Sequence, residues 1–356
     1  MVEGLGAMDA MIRRSGTLES QPMPSANPPP APYYAAACQT AFDAPRHRDE
    51  IAGRIDHMLE MAGNTIGGYD PVFDVRLLVF PEFAHAVPVH ERVDLLVRDL
   101  AVELPGEHVQ RYIDFCRTNG CWIQTGTFLE LDADLGPDVV FNTTVLVGPD
   151  GIELTYRKLN PWIPWEVQAS PHDLDPQGDH LPVAHTPIGC IGVAVCYDWL
   201  FPEVLRALRF KGAEVLCRVS AYMDPWGATP PMDWWTLFNR SRAAENTSFV
   251  VAANQGAHMH QFAPFSWPGG SMVVDFDGRV LAQADAGPGE RVVVAPIDIA
   301  SLRAARTRRI GHDMMTHHRT SAYRYAQGEG FAPAAEHPIT VESLKARILR
   351  ARESNT

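Results

Sequence analysis

Cys196 stands where an apolar run gives way to a polar turn, in IGVAVCYDWLFPEV (191–204). Far upstream, Glu82 closes VRLLVFPE, and between them Lys158 closes GIELTYRK. Each side chain follows a strand-like run, so a rigid segment would hold the chain up to the reactive atom. Taken singly, each has a plain reading. A cysteine in an apolar run is ordinarily core. Glu82 just beyond a strand can sit in solvent, because full burial of its charge is costly. Lys158 alone reads as surface. Taken together they make a reactive set. A carboxylate can take the thiol proton and later return it to a leaving amine. The cysteine supplies a covalent acyl intermediate that water hydrolyses. A lysine and a backbone amide stabilise the tetrahedral oxyanion. No metal or organic cofactor is required. Amides at the start of the element after Cys196 would also favour a thiolate, and Asp198 is placed to cap that element.

These groups need a scaffold of strands and helices in alternation. A strand near 33–39 precedes a helix at 46–62, and VRLLVFPE (75–82) suits a central strand. GEHVQRYIDFCRTNG fits a helix closed by Gly120. CWIQTGTFLE reads as one strand, and VVFNTTVLVGPDGIELTYRKLN as a hairpin turning at Asp150–Gly151. A long loop rich in Pro and Trp runs to about 187. A strand at 188–195 then meets a helix at 198–211 closed by Gly212. AEVLCRVSA is a strand, PMDWWTLFNRSRAAEN a helix, and TSFVVAANQG a strand. A second hairpin turns at Asp277–Gly278, and GERVVVAPIDI adds a last strand before a helical region. The pattern predicts layered α/β packing rather than a purely parallel sheet.

The chain has 356 residues, 46% of them hydrophobic, enough for one large domain or two smaller ones. With 43 acidic and 30 basic residues its net charge is -13, which argues against a broad nucleic-acid surface and against docking on acidic membranes. The one local exception, RAARTRRI, reads as solvated surface. No run is apolar enough for a transmembrane span or a secretion signal. The 6 cysteines form no CxxC and no zinc-like spacing with histidine. A reducing, cytoplasmic setting is expected. Residues 1–32, ending in NPPPAP, are expected to be a flexible arm.

At this point the sequence resembles the nitrilase, or carbon–nitrogen hydrolase, superfamily. The family's glutamate lies in an FPE context, as Glu82 does, and its lysine in an RK context after a hairpin strand, as Lys158 does. Its nucleophile lies in C-x-D-x-x-F-P-E, here CYDWLFPE, matching Cys196. GIELTYRKLNPW, KGAEVL and RAAENTSFVVAAN extend the likeness over about residues 33–300. Glu166, eight residues after Lys158, resembles the second glutamate of aliphatic amidases and formamidases, which would orient substrate and support the triad. The resemblance implies a four-layer-forming α-β-β-α sandwich, a hydrolase domain over 33–300, and a homo-oligomer of at least two copies. Residues 301–356 would be a C-terminal extension involved in oligomer contacts. Amides near Tyr197 would resemble the family's oxyanion donors. Asp198 and Glu203 would cap or brace the helix after the nucleophile, and Arg242, Glu245 and Asn246 would be structural.

The implied activity is cleavage of a small carboxamide to carboxylate and ammonia. N-carbamoyl-amide hydrolysis, nitrile hydrolysis and acyl transfer would use the same four residues. A non-catalytic scaffold would instead bury Cys196 away from Glu82 and Lys158. Arg218 and Arg240 are the candidates for gripping a substrate carboxylate in the N-carbamoyl case. The segment Tyr222 to Trp235 is expected to line or cover the pocket, with Trp162 and Trp165 beside Glu166. HMHQFAPFSWPGGSM (258–272) is a further candidate for the entrance, and His172, His180 and His185 read as surface.

Overall fold

The computed structural model describes residues 28–42, 45, 47–87, 92–162, 166, 168–224, 227–257, 267–309, 311–319 and 322. Most of the N-terminal arm, and the C-terminal extension beyond 322, lie outside the described residues. The chain runs β1 (Tyr33–Gln39), α1 (Glu50–Tyr69), β2 (Val75–Val79), α2 (Val93–Asp99), α3 (Glu107–Asn119), β3 (Trp122–Gln124), β4 (Phe128–Leu131), β5 (Val140–Gly148), β6 (Gly151–Arg157), α4 (Pro171–Leu174), β7 (Val183–Thr186), β8 (Gly189–Val195), a 3-10 turn (Cys196–Leu200), α5 (Pro202–Phe210), β9 (Val215–Ser220), α6 (Trp234–Asn246), β10 (Phe249–Asn254), β11 (Met272–Val274), β12 (Val280–Gln283), β13 (Arg291–Ile297) and α7 (Ile299–Arg308).

The strands form two sheets. One is ordered β13-β1-β2-β3-β5-β4, with β6 also paired to β5, and the other β12-β11-β10-β9-β8-β7. Both mix parallel and antiparallel pairs. Period-2 alternation along the strands assigns each side chain to a layer. On β1, Ala35 and Ala37 enter the core between the sheets, while Ala36 and Cys38 face the helices. On β2, Leu77 and Val79 point inward to the second sheet, and Leu78 and Phe80 point outward. The outer face of the first sheet is covered by Ile51, Ile55, Met58 and Ala62 of α1 and Val109, Tyr112 and Cys116 of α3. Leu205 and Leu208 of α5 and Ala243 of α6 join the core around the second sheet. The architecture is the expected α-β-β-α sandwich.

Four elements differ from the pattern reading. Helix α1 continues to Tyr69, because its buried spacing extends through Thr65. The long loop before 187 contains α4 and the strand β7, which pairs with β8. The helix expected from 198 begins as the 3-10 turn, and α5 starts only at Pro202, a residue suited to the first helical position. The strand expected over 121–130 is interrupted at 125–127, although β3 and β4 both pair with β5.

Gly126 explains that break. A Cβ there would stand 2.5 Å from the Pro81 carbonyl oxygen and 2.6 Å from the Ala84 Cβ. Only a glycine lets the loop after β2, which carries Glu82, lie this close to the first sheet. Gly126→Ala is therefore expected to destabilise the fold by about 1–3 kcal/mol and to shift the Glu82 loop. Gly53 of α1 supplies the contrast, because a methyl added there would meet nothing within 4 Å. Gly53→Ala is expected to stabilise by about 0.4–1 kcal/mol. Urea midpoints of the two variants, compared with wild type, check both; equal midpoints would remove the packing argument.

Candidate active site

Glu82, Lys158, Glu166 and Cys196 come together at the edge of the inter-sheet core. Glu82 sits three residues past β2, Lys158 directly after β6, and Cys196 directly after β8. The backbone amide of Lys158 donates to the Asn142 carbonyl at 2.8 Å, extending the β5–β6 ladder by one step. Alternation then sends Tyr156 and Lys158 inward. Arg157 turns the other way, to Glu130 at 2.7 Å and Asp132 at 2.7 Å.

Lys158 Nζ donates to Glu82 Oε1 at 2.8 Å and to Glu166 Oε1 and Oε2 at 2.8 and 2.9 Å. The Lys158, Glu82 and Glu166 side chains are 1%, 1% and 4% exposed, so all are deep in the protein. Asn142 Nδ2 donates to both carboxylates, at 2.9 Å to Glu82 and 3.2 Å to Glu166. The second Glu82 oxygen accepts from the Ala221 amide at 3.0 Å, just past β9. Glu166 also accepts from the Trp162 amide. The Glu82 carbonyl accepts from Gln255 at 3.0 Å, and the next amide, Phe83, donates to Thr127 Oγ1 at 2.9 Å. His85 anchors the same loop through the Thr127 carbonyl and the Tyr112 hydroxyl.

Cys196 has φ +45°, a conformation unfavourable for a side chain with Cβ. The thiol residue is 8% exposed. Asp198 fixes this turn. Its carboxylate accepts from the Val195 amide at 3.1 Å, the Tyr156 hydroxyl at 2.7 Å and the Asn160 amide at 2.8 Å. It therefore braces the turn to β6 rather than capping α5, whose first turn carries Glu203. Arg242 donates to the carbonyls of Trp199 at 3.1 Å and Leu200 at 3.3 Å and pairs with Glu245 at 3.0 Å. Asn246 donates back to the Arg242 carbonyl at 2.9 Å.

Proton affinities follow from this crowding. Burial raises Glu82 above its ordinary value; Lys158 opposes the rise and Glu166 adds to it. Burial, then the Glu82 charge, pushes the Cys196 thiol up to about 12, with Lys158 pulling the other way. Burial alone would lower Lys158, but Glu166 and Glu82 outweigh it and the ammonium is held charged. The resting site holds a protonated thiol facing Glu82, beside a charged lysine. That arrangement can move a proton from sulfur to Glu82 and present positive charge to a developing oxyanion.

Asn142, Gln255 and the Ala221 amide were not anticipated from sequence. The Asn-Thr-Thr run inside the apolar strand VVFNTTVLVG was the available signal, since buried polar side chains in a strand need partners. Other expectations are revised. In RAARTRRI, Arg303 pairs with Glu214 at 2.6 Å and Arg306 donates to the carbonyls of Ala213 and Thr247, so these residues pin α7 to the sandwich instead of facing solvent. Within Tyr222 to Trp235, the Tyr222 and Trp235 rings pack over Arg218, and Trp234 is exposed. Arg218 has no exposed surface, whereas Arg240 is exposed on α6, its Nε donating to the Gly278 carbonyl. His172 and His185 are exposed and His180 is half-buried against the Asp175 carbonyl. Trp165 and residues 258–266 lie outside the described residues. Among the described residues no group of His, Cys, Asp and Glu could hold a metal, and no helix is long and apolar enough to cross a membrane.

The carbon–nitrogen hydrolase family model matches residues 34–307. A formamidase of Bacillus cereus (strain G9842) is 30% identical over 263 residues, covering 73% of this chain and 72% of that protein. Saccharomyces cerevisiae Nit3, a member of the nitrilase superfamily, superposes with a TM-score of 0.63 at 24% identity, covering 78% of this chain and 93% of that one. A glutamate-to-glutamine variant of the amidase from Nesterenkonia sp. AN1 superposes with a TM-score of 0.59 at 20% identity, covering 86% of this chain and 99% of that one. That structure shows covalent addition of the acetamide moiety of fluoroacetamide at its active site cysteine.

The electrostatics make a direct prediction. Lys158→Met leaves two buried carboxylates without their cation and is expected to cost about 3–5 kcal/mol. A carboxylate whose folded pKa is raised favours folding at low pH and loses that contribution as pH rises through the folded value. Glu82 is already raised, and losing Lys158 raises it further. The deficit against wild type is therefore expected to widen from about pH 5 to about pH 8, as read from denaturant midpoints. A deficit independent of pH would mean that Lys158 is not the counterion.

Proposed function

The chain belongs to the carbon–nitrogen hydrolase family, and we propose that within it this member cleaves a small carboxamide to carboxylate and ammonia through a thioester on Cys196. The observation that carries the reading is the buried lysine clamped at 2.8 Å by carboxylates on both sides, beside a thiol on a strained turn. Glu82 removes the proton from sulfur, forming an O–H bond as the S–H bond breaks. The sulfur attacks the amide carbon, and the carbonyl electron pair moves onto oxygen. An ammonium has three protons; one to each carboxylate leaves one for that oxyanion. Collapse expels the amine, which takes the proton from Glu82 and leaves as ammonia. Water then gives a proton to Glu82 as its oxygen attacks the thioester carbon. Collapse breaks the C–S bond, Glu82 returns that proton to sulfur, and the product acid ionises to the carboxylate in solvent. Glu166 orients Lys158 and the substrate nitrogen side.

The small amide class comes from the formamidase relatives and from the acetamide adduct of the Nesterenkonia amidase. The N-carbamoyl reading would need a cation that faces the substrate; Arg218 is enclosed by aromatic rings, and Arg240 lies on the exposed surface of α6. A cytoplasmic setting is part of the proposal, in keeping with six free thiols. So are a homo-oligomer, a flexible arm over 1–32, and oligomer contacts from 301–356.

The test is ammonia release from formamide, acetamide and propionamide, read with intact-protein mass after brief mixing. Cys196→Ala is expected to retain the fold and to lose both turnover and the acyl adduct; a variant that still turns over ends the assignment. Glu166→Gln is expected to lower kcat about 10²–10³-fold. The acid limb of kcat/KM should lie above 4.5, the ordinary value for a glutamate, because activity is lost as Glu82 takes a proton. A limb at or below that value would exclude Glu82 as the base.

A further inference from the structure

Arg218 is among the largest fully buried side chains, yet among the described residues no carboxylate pairs with it directly. Its Nη1 donates to Asn239 at 3.0 Å, while Nε and Nη2 have no hydrogen-bond partner among those residues. Three rings hold the guanidinium instead: Trp235 at 4.3 Å, Trp199 at 5.3 Å and Tyr222 at 5.4 Å from the ring centroids. Aromatic faces offset part of the desolvation of a cation. They do not explain why a cation is there at all, since a neutral side chain would fill the same space without that penalty.

Its position gives the reason. On β9, Arg218 lies opposite Ala194 of β8, two residues before Cys196. Trp199, in the turn that Cys196 opens, anchors its indole to the Ala194 carbonyl at 3.0 Å and lies under the guanidinium. Arg218 is thus fixed behind the nucleophile's turn on the second sheet, whereas Glu82 hangs from the first. Lys158 is already shared between Glu82 and Glu166, so Arg218 is a second cation, set on the other side of the Cys196 turn.

We propose that Arg218 is a built-in countercharge for Cys196, a positioning residue that favours negative charge on the sulfur over negative charge on Glu82. This rests on the Cys196 nucleophile argued above. During acylation the proton passes from sulfur to Glu82 and negative charge develops on Cys196, whose turn packs against the guanidinium through Trp199. An interaction that strengthens along that path accelerates the step. The groups acting on Arg218 fit this direction: burial lowers it to about 10, and Cys196 counteracts that more than Tyr222 or Glu82 does, with Arg242 opposing. The thiol is in turn acted on by Glu82, Lys158, Ser220 and Arg218.

The experiment compares full-length wild type, Arg218→Met, Arg218→Lys and Cys196→Ala. Iodoacetamide alkylation of Cys196 is followed from about pH 6 to about pH 9.5 by peptide mass, alongside kcat and KM for a small amide. Arg218→Met is expected to alkylate Cys196 at least tenfold more slowly across the range and to lose at least tenfold in kcat, with KM within threefold. Arg218→Lys is expected to recover most of both. Wild-type alkylation and kcat in Arg218→Met would overturn the proposal. So would an Arg218→Lys protein as impaired as Arg218→Met, which would indicate a role in shape rather than charge. If Arg218→Met does not fold, Arg218→Gln takes its place, with the same outcomes read against Arg218→Lys. Turnover by Cys196→Ala would instead remove the nucleophile itself, whatever the Arg218 variants do.

Discussion

A lysine and two glutamates meet in the interior of this protein, and the rest of the fold is arranged around making that tolerable. Lys158, Glu82 and Glu166 are each almost fully enclosed. Burying such charges costs several kcal/mol per ion even after relaxation, so geometry and extra hydrogen bonds must compensate. The donors are supplied from all sides: Asn142 to both carboxylates, Ala221 to Glu82, and Trp162 to Glu166. Asn142 belongs to the first sheet and Ala221 follows a strand of the second. The charge cluster is therefore satisfied only when the two sheets have closed on each other, and assembly of the site and burial of the core are one event.

Strand register decides which cation occupies the centre. Arg157 and Lys158 are adjacent, and alternation places one in the outer Glu130–Asp132 cluster and the other between Glu82 and Glu166. A slip of one residue would exchange them. A guanidinium is a broad planar fork, whereas an ammonium is a compact point with rotatable donors. Only the latter can bridge two carboxylates at 2.8 Å and still turn a proton towards a third oxygen. Tyr156, one step earlier on the same face, ties this register to the Cys196 turn through its 2.7 Å bond to Asp198. The lysine and the cysteine are thus set by a shared clamp, although they come from different sheets.

The parts legible in sequence were those whose signal is local. Gly120 ends α3 in a left-handed cap, as its place after a helical run implies. The β5–β6 and β11–β12 hairpins turn where Asp-Gly marks them. That Glu82, Lys158, Glu166 and Cys196 would meet was legible because each lies in a recognisable motif. Asn142, Gln255 and Gly126 were not, because their roles exist only across the fold: a hydrogen bond to a loop 60 residues away, or a Cβ that would meet Pro81. The basic run at 303–310 misled for the same reason. Its charges looked solvated along the chain, but Glu214 and the Ala213 and Thr247 carbonyls lie beneath α7.

Of the four described non-glycine residues at positive φ, Asp233 and Thr247 flank α6, and the other two stand where Glu82 and Cys196 leave their strands. Cys196 at φ +45° and Phe83, next to Glu82, at φ +59° both adopt conformations that non-glycine residues avoid. Each costs on the order of 1–3 kcal/mol and persists only if its surroundings dictate it. At Cys196 they do: Asp198 holds the Val195 amide on one side, and Arg242 holds the Trp199 and Leu200 carbonyls on the other. At Phe83, Thr127 takes the amide and Gln255 takes the preceding carbonyl. The two turns take the thiol and the carboxylate off strands of different sheets, and the side chain they share as a neighbour is Lys158.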